Sequence, residues 1–137
     1  DQSKDLVISF RLLSHIMNYE EVINEMCRVS SNLVIIDYAT VRSFNFFYSY
    51  FIGAKKRIEG EDTTRSYRVF SENDIIKQFE LNSFILYKKE AQYFLPMAFH
   101  RKLGLFKLSV FLEHMANKLN LTKHFGSPVI ASFRRAI

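Results

Sequence analysis

Two rhythms of apolar and polar positions run through the chain. Asp5-Leu6-Val7-Ile8-Ser9-Phe10 is a short, nearly continuous apolar run, the pattern of a strand buried on both faces of a parallel sheet. Asn18-Tyr19-Glu20-Glu21 then offers an N-cap followed by acidic residues. Val22, Ile23, Met26 and Val29 recur at helical spacing, which predicts a helix from Tyr19 to Val29. After the interruption Ser30-Ser31-Asn32, Leu33 to Asp37 reads as a second buried strand that ends in a carboxylate. Strand, helix and strand with short links make a βαβ unit.

From Val41 to Arg57 the chain carries Phe44, Phe46, Phe47, Tyr48, Tyr50, Phe51 and Ile52, read as a helical insertion. Gly60 to Arg68 is polar, the pattern of a loop. Ser71-Glu72-Asn73-Asp74 caps a further helix with Ile75, Ile76 and Phe79 on its apolar face. Phe84 to Tyr87 is a third strand that turns polar at Lys88-Lys89-Glu90, as at a sheet edge. Leu105, Leu108, Leu112, Met115 and Leu119 predict an amphipathic helix, and Gly126-Ser127-Pro128 turns the chain into a last strand, Val129 to Arg134. The fold class expected is α/β, with four strands, helices and a helical insertion or lid.

Composition narrows the partners. A chain of 137 residues is one domain's worth, and 48% hydrophobic with 24% charged residues exclude intrinsic disorder. Fourteen Phe and seven Tyr point to an apolar pocket or lid. Nineteen basic residues against fourteen acidic ones favour anionic ligands. They fall in short scattered groups, unlike a nucleic-acid-binding arm, so no nucleic acid is expected. The single Cys27 excludes an internal disulfide, no run of about twenty apolar residues occurs, and a reducing cytoplasm fits both. His15, His100, His114 and His124 show no metal-ligand spacing, so no metal is assigned.

In open α/β sheets ligands bind outside the carboxyl ends of the strands. Phe10, Arg11 and Leu12 leave the first strand, while Asp37, Tyr38 and Ala39 leave the second, so both sets are expected to face one crevice. The four glycines are isolated, which excludes a glycine-rich nucleotide turn, a phosphate loop and a nucleophile elbow.

The stretch Asp5 to Ile16 resembles the "fDlV…s…vLeH" signature at the fourth strand of class I S-adenosylmethionine-dependent methyltransferases, in particular the group related to ubiquinone/menaquinone (type 11) enzymes. Glu25-Met26-Cys27-Arg28-Val29 is similar to that family's helix end, and Leu33 to Asp37 to its fifth strand. Phe70 to Asp74, with Phe79 and Asn82-Ser83-Phe84, resembles its following helix and sixth strand. Pro128 to Arg135 resembles the closing strand, which in that fold runs antiparallel. Two departures stand out: Ser30-Ser31-Asn32 replaces the usual Lys-Pro-Gly-Gly turn, and Gln92 to Phe125 is longer than a hairpin.

The resemblance implies that residues 1–137 are a single partial domain, the C-terminal half of a methyltransferase acting on a small, apolar or aromatic acceptor. The family's cofactor loop and ribose-binding acid belong to strands that would precede Asp1. This chain alone is therefore expected to bind S-adenosylmethionine poorly, and to pair with the missing half or a second copy through its unpaired first strand. The residues it implies are Ser9, Phe10, Arg11 and Leu12 at the cofactor, His15, Asp37 and His100 as catalytic groups, and Tyr38, Tyr48, Tyr67 and Arg68 at the acceptor. Two competing readings stand beside it. One is a non-catalytic remnant that serves as a binding or dimerisation module. The other is a membrane-surface protein, through Phe44 to Ile52 and Lys55-Lys56-Arg57.

Overall fold

The computed structural model describes residues 1–43, 68–95, 104 and 106–136. The chain runs through β1 (Lys4–Ser9), a 3-10 turn (Leu13–His15), α1 (Tyr19–Val29), β2 (Ser30–Tyr38), α2 (Glu72–Glu80), β3 (Phe84–Ala91), α3 (Phe106–Lys118), α4 (Leu121–Phe125) and β4 (Val129–Arg135). From Phe44 on, the insertion expected between Val41 and Arg57 lies outside the described residues.

One mixed sheet, in the order β1-β2-β4-β3, organises these elements. β1 pairs parallel with β2, and β4 runs antiparallel to both β2 and β3. β1, β2 and β3 therefore point the same way, with β4 reversed between them, which is the four-stranded α/β arrangement expected. The polar triplet Ser30-Ser31-Asn32 is not the anticipated break, because α1 passes straight into β2. The strand tolerates these residues because their hydroxyls find partners: Ser30 Oγ donates to the Leu33 carbonyl at 3.0 Å and Ser31 Oγ to Asp5 Oδ1 at 2.8 Å.

Side chains alternate across a strand, and among the described residues one face of this sheet carries the core. Val34 and Ile36 of β2, Ala131 and Phe133 of β4 and Phe84 of β3 are buried there. Against them α1 brings Tyr19, Ile23, Met26 and Cys27, and α2 brings Ile75 and Phe79. The Phe79 and Phe133 rings stack at 3.7 Å with planes 4° apart, and Phe84 meets Phe79 edge-on. Arg135 locks the seam between helix and sheet. Its Nη2 donates to the carbonyls of Cys27 and Ser30, both at 2.7 Å, and its guanidinium lies 4.6 Å over the Phe84 ring. A cation there also complements the C-terminal end of the α1 dipole.

The opposite face is open at both edges. Leu6 and Ile8 on β1 and Ile85 and Tyr87 on β3 are exposed, with Leu33, Ile35 and Ile130 half-buried between them. Polar groups interrupt it at Ser132 and Arg134 of β4, the latter 4.3 Å over the Tyr87 ring, and on β3, where Lys88 pairs with Glu90 at 2.8 Å. Among the described residues β1 is also a free edge, and Ile8 there is 52% exposed.

Two outcomes follow from this packing. Phe133→Ala removes the ring on which both Phe79 and the sheet centre rest, and is expected to cost about 3–5 kcal/mol in urea denaturation; a loss below ~1 kcal/mol would show that this ring is not core. Burial pushes the Cys27 thiol from 9.0 up to about 12. The folded chain thus keeps a proton that the unfolded chain releases, so stability falls as pH rises through that window. Ellman's reagent is expected to leave Cys27 untouched in the native chain and to label it in urea.

Candidate functional site

The carboxyl ends of β1, β2 and β3 lie along one side of the sheet, where β4 begins: Val129 pairs with both Tyr38 and Ala91. Here the chain leaves β1 through Phe10, which is exposed, and then takes Arg11 into the left-handed region at φ 57°. A non-glycine residue there costs about 1 kcal/mol or more, and the compensating contact is visible. The Arg11 backbone N–H donates to Asp37 Oδ1 at 2.6 Å, so the carboxylate at the end of β2 holds the turn that follows β1.

Backbone hydrogen bonds bring a third segment alongside. Phe70 N–H donates to the Ala39 carbonyl at 2.8 Å, Val41 N–H to the Phe70 carbonyl at 3.0 Å, and Arg68 N–H to the Ser14 carbonyl at 3.0 Å. The Arg68 guanidinium is placed with care. It lies 4.6 Å over the Tyr19 ring and 5.7 Å over the Phe70 ring, and its Nη1 donates to the Met17 carbonyl at 3.0 Å. Stacking on two rings fixes a long, exposed cation at the rim of the β1 and β2 exits.

The sequence-predicted residues divide accordingly. Ser9, Phe10, Arg11, Leu12, His15, Asp37 and Arg68 are brought to this one rim, with Ser9 the last residue of β1 and His15 closing the 3-10 turn. Tyr38 is corrected. It is 3% exposed, shares the packed face with Val34 and Ile36, and meets the Phe70 ring edge-on at 6.5 Å. Desolvation raises its phenol further above the ordinary tyrosine range, so it is a neutral core ring and does not face the crevice. Tyr48, Tyr67 and His100 lie outside the described residues. Sequence reading missed Thr40 and Phe70, whose isolated parallel bridge ties the β2 exit to the Arg68 segment. The short alternation Arg68-Val69-Phe70 was the only signal available for it.

Chemically, the rim offers an apolar wall of Phe10 and Leu12, a half-buried carboxylate at Asp37 and an anchored cation at Arg68. No metal-binding group of side chains occurs among the described residues. As a cradle for S-adenosylmethionine these residues do not suffice. No glycine stands at the β1 or β2 exit to let a ligand approach the backbone, and the Arg11 amide is already committed to Asp37.

No protein-family model and no curated protein matches the sequence. Solved structures do match. A possible histamine N-methyltransferase of Thermotoga maritima, an S-adenosylmethionine-dependent methyltransferase, aligns with a TM-score of 0.63 at 14% identity, over 98% of this chain and 57% of its own. A putative methyltransferase of Bacillus halodurans gives 0.58 at 16% identity, over 100% of this chain and 66% of its own. Magnesium protoporphyrin IX methyltransferase of Synechocystis, with bound SAH, gives 0.55 at 15% identity, over 96% and 45%. The chain has a methyltransferase-like fold over nearly its whole length, and it spans 45%, 57% and 66% of the lengths of these three structures.

The Asp37 contact is testable by stability alone. Asp37→Ala is expected to lose about 1.5–3 kcal/mol, the range of a hydrogen bond to a charged group, and Asp37→Asn distinctly less. Arg11→Gly removes the left-handed strain and should recover part of the Asp37→Ala loss. Equal stability of Asp37→Ala and wild type in urea denaturation would show that the turn is held some other way.

Proposed function

We propose that these residues form the acceptor-facing part of an S-adenosylmethionine-dependent methyltransferase that acts on a small, apolar or aromatic acceptor. One observation carries the reading: three parallel strands with a reversed strand between the second and third, sharing their fold with methyltransferases whose solved forms include SAH and SAM complexes. Phe10 and Leu12 at the rim give an apolar wall against which a flat acceptor is aligned. Arg68 orients the acceptor, and Tyr48 and Tyr67 are the further residues assigned to it by the sequence.

When bound, the cofactor supplies an electrophilic methyl on a sulfonium, and the protein's share is alignment and exclusion of water. A base is needed only where the acceptor loses a proton during transfer. Asp37, which keeps a second carboxylate oxygen beyond its bond to Arg11, is the first candidate, ahead of His15 and His100. The residues that grip the cofactor come from chain outside these 137 residues, or from a second copy, joined along the free edge of β1. A second reading, a non-catalytic module of the same fold, is favoured by that same exposed edge, where Leu6 and Ile8 suit pairing without any ligand.

Calorimetric titration of S-adenosylmethionine and its demethylated product separates these readings. No binding by the 137-residue chain, with binding restored in the longest form of the protein that the cell makes, is the expected result. Absence of binding in both forms would sink the enzymatic reading and leave the module. Tight binding by the short chain alone would show that the crevice is completed by a second copy, which light scattering would detect.

A further inference from the structure

α3 turns its more polar side inward. Glu113 accepts the backbone N–H groups of Phe94 at 3.1 Å and Leu95 at 2.8 Å, and beside it Ala116 is buried and Ser109 and Leu112 half-buried. The stripe outside is apolar. Leu108, Phe111, Met115 and Leu119 recur at three- and four-residue steps and all are exposed, Phe111 at 57% and Leu119 at 63%. Phe106, at 82%, and Phe125 are exposed as well. A helix with apolar residues on both sides is ordinarily covered on both.

The charges nearby have one sign. At about 100° per residue, Lys107, His114 and Lys118 line up along one flank of the Leu108–Phe111–Met115–Leu119 stripe, and Lys123 follows in α4. The only carboxylate from Phe106 to Phe125 is Glu113, which is spent on the two inward amides. The outer surface of α3 and α4 is thus apolar and cationic, with no acidic residue. No described helix is long and apolar enough to cross a membrane.

Position separates this surface from the free edge of β1. α4 sits tightly on β3, since a Cβ placed on Gly126 would meet the Thr122 carbonyl at 2.4 Å and the Ala91 Cβ at 2.9 Å. β3 is the opposite edge of the sheet, with β2 and β4 between it and β1. A strand that pairs with β1 therefore adds to the sheet at the edge away from α4.

We infer that α3 lies in the headgroup layer of an anionic membrane, with Leu108, Phe111, Met115 and Leu119 inserted and Lys107 and Lys118 at the lipid phosphates. An apolar stripe flanked by lysines matches such a surface in both respects. The side chains that insert are long and apolar, and the lysine stems reach back to the charged layer. The inference does not depend on any catalytic activity of the chain.

Co-sedimentation of the whole chain with vesicles tests it, using phosphatidylcholine alone or with phosphatidylserine added. The chain should sediment with the phosphatidylserine vesicles and stay in solution with the neutral ones. Phe111→Asp and Leu119→Asp, both at exposed positions, should abolish binding while the circular dichroism spectrum is kept. Lys107→Gln and Lys118→Gln should each weaken it about fivefold. Ile8→Asp, at the other edge, should leave it unchanged. No binding to phosphatidylserine vesicles would overturn the inference, as would binding that survives Phe111→Asp and Leu119→Asp. A dimer in light scattering that Phe111→Asp dissociates would replace it with a contact between copies.

Discussion

Everything in this fold depends on the one-sided packing of its sheet. α1 follows β1 and α2 precedes β3, yet both helices fall on the same face, where they close over Val34, Ile36, Ala131 and Phe133. That placement fixes the β1 and β2 exits against each other and holds Arg135 under the end of α1. It also leaves Leu6, Ile8, Ile85 and Tyr87 facing outward. A sheet of this kind has its core on one side and, among the described residues, an open apolar face on the other.

The rim at the strand exits inherits its geometry from that core. Arg11 can occupy a left-handed conformation because Asp37 is delivered to its amide by a strand that is itself pinned through Val34 and Ile36. Arg68 is held differently, by aromatic faces that belong to the core. Tyr19 is one of the buried residues of α1, and Phe70 bridges to Thr40. An exposed cation is thereby rigid without a carboxylate partner among the described residues.

Much of the architecture was legible because it is written in local period. α1 was read with its observed bounds from the spacing of Val22, Ile23, Met26 and Val29, and the four strands from their apolar runs. The misreadings have physical causes. Ser30 and Ser31 look like a loop until Leu33, Lys4 and Asp5 supply their partners, which local sequence cannot show. Tyr38 closes an apolar run with no alternation, so nothing in the run told which face it would take. The stripe through Leu108, Met115 and Leu119 revealed an amphipathic helix but not its orientation. That was decided by Glu113 reaching the amides of Phe94 and Leu95. The Arg68 anchor joins segments distant in sequence, and no local signal encodes such a meeting.

β4 occupies the middle of the sheet although it follows β1, β2 and β3 in the chain, and β2 and β3 do not pair with each other. On a ribosome, β1, α1 and β2 emerge together and can form their unit early. α2 and β3 emerge next and find no strand to join, so Phe79 and Phe84 wait uncovered until Phe133 arrives. Synthesis that stops short of Val129 therefore leaves an open, apolar two-part intermediate in place of a smaller domain. The order in which the ribosome releases these strands makes the stretch from Val129 to Arg135 the one on which completion of this sheet waits.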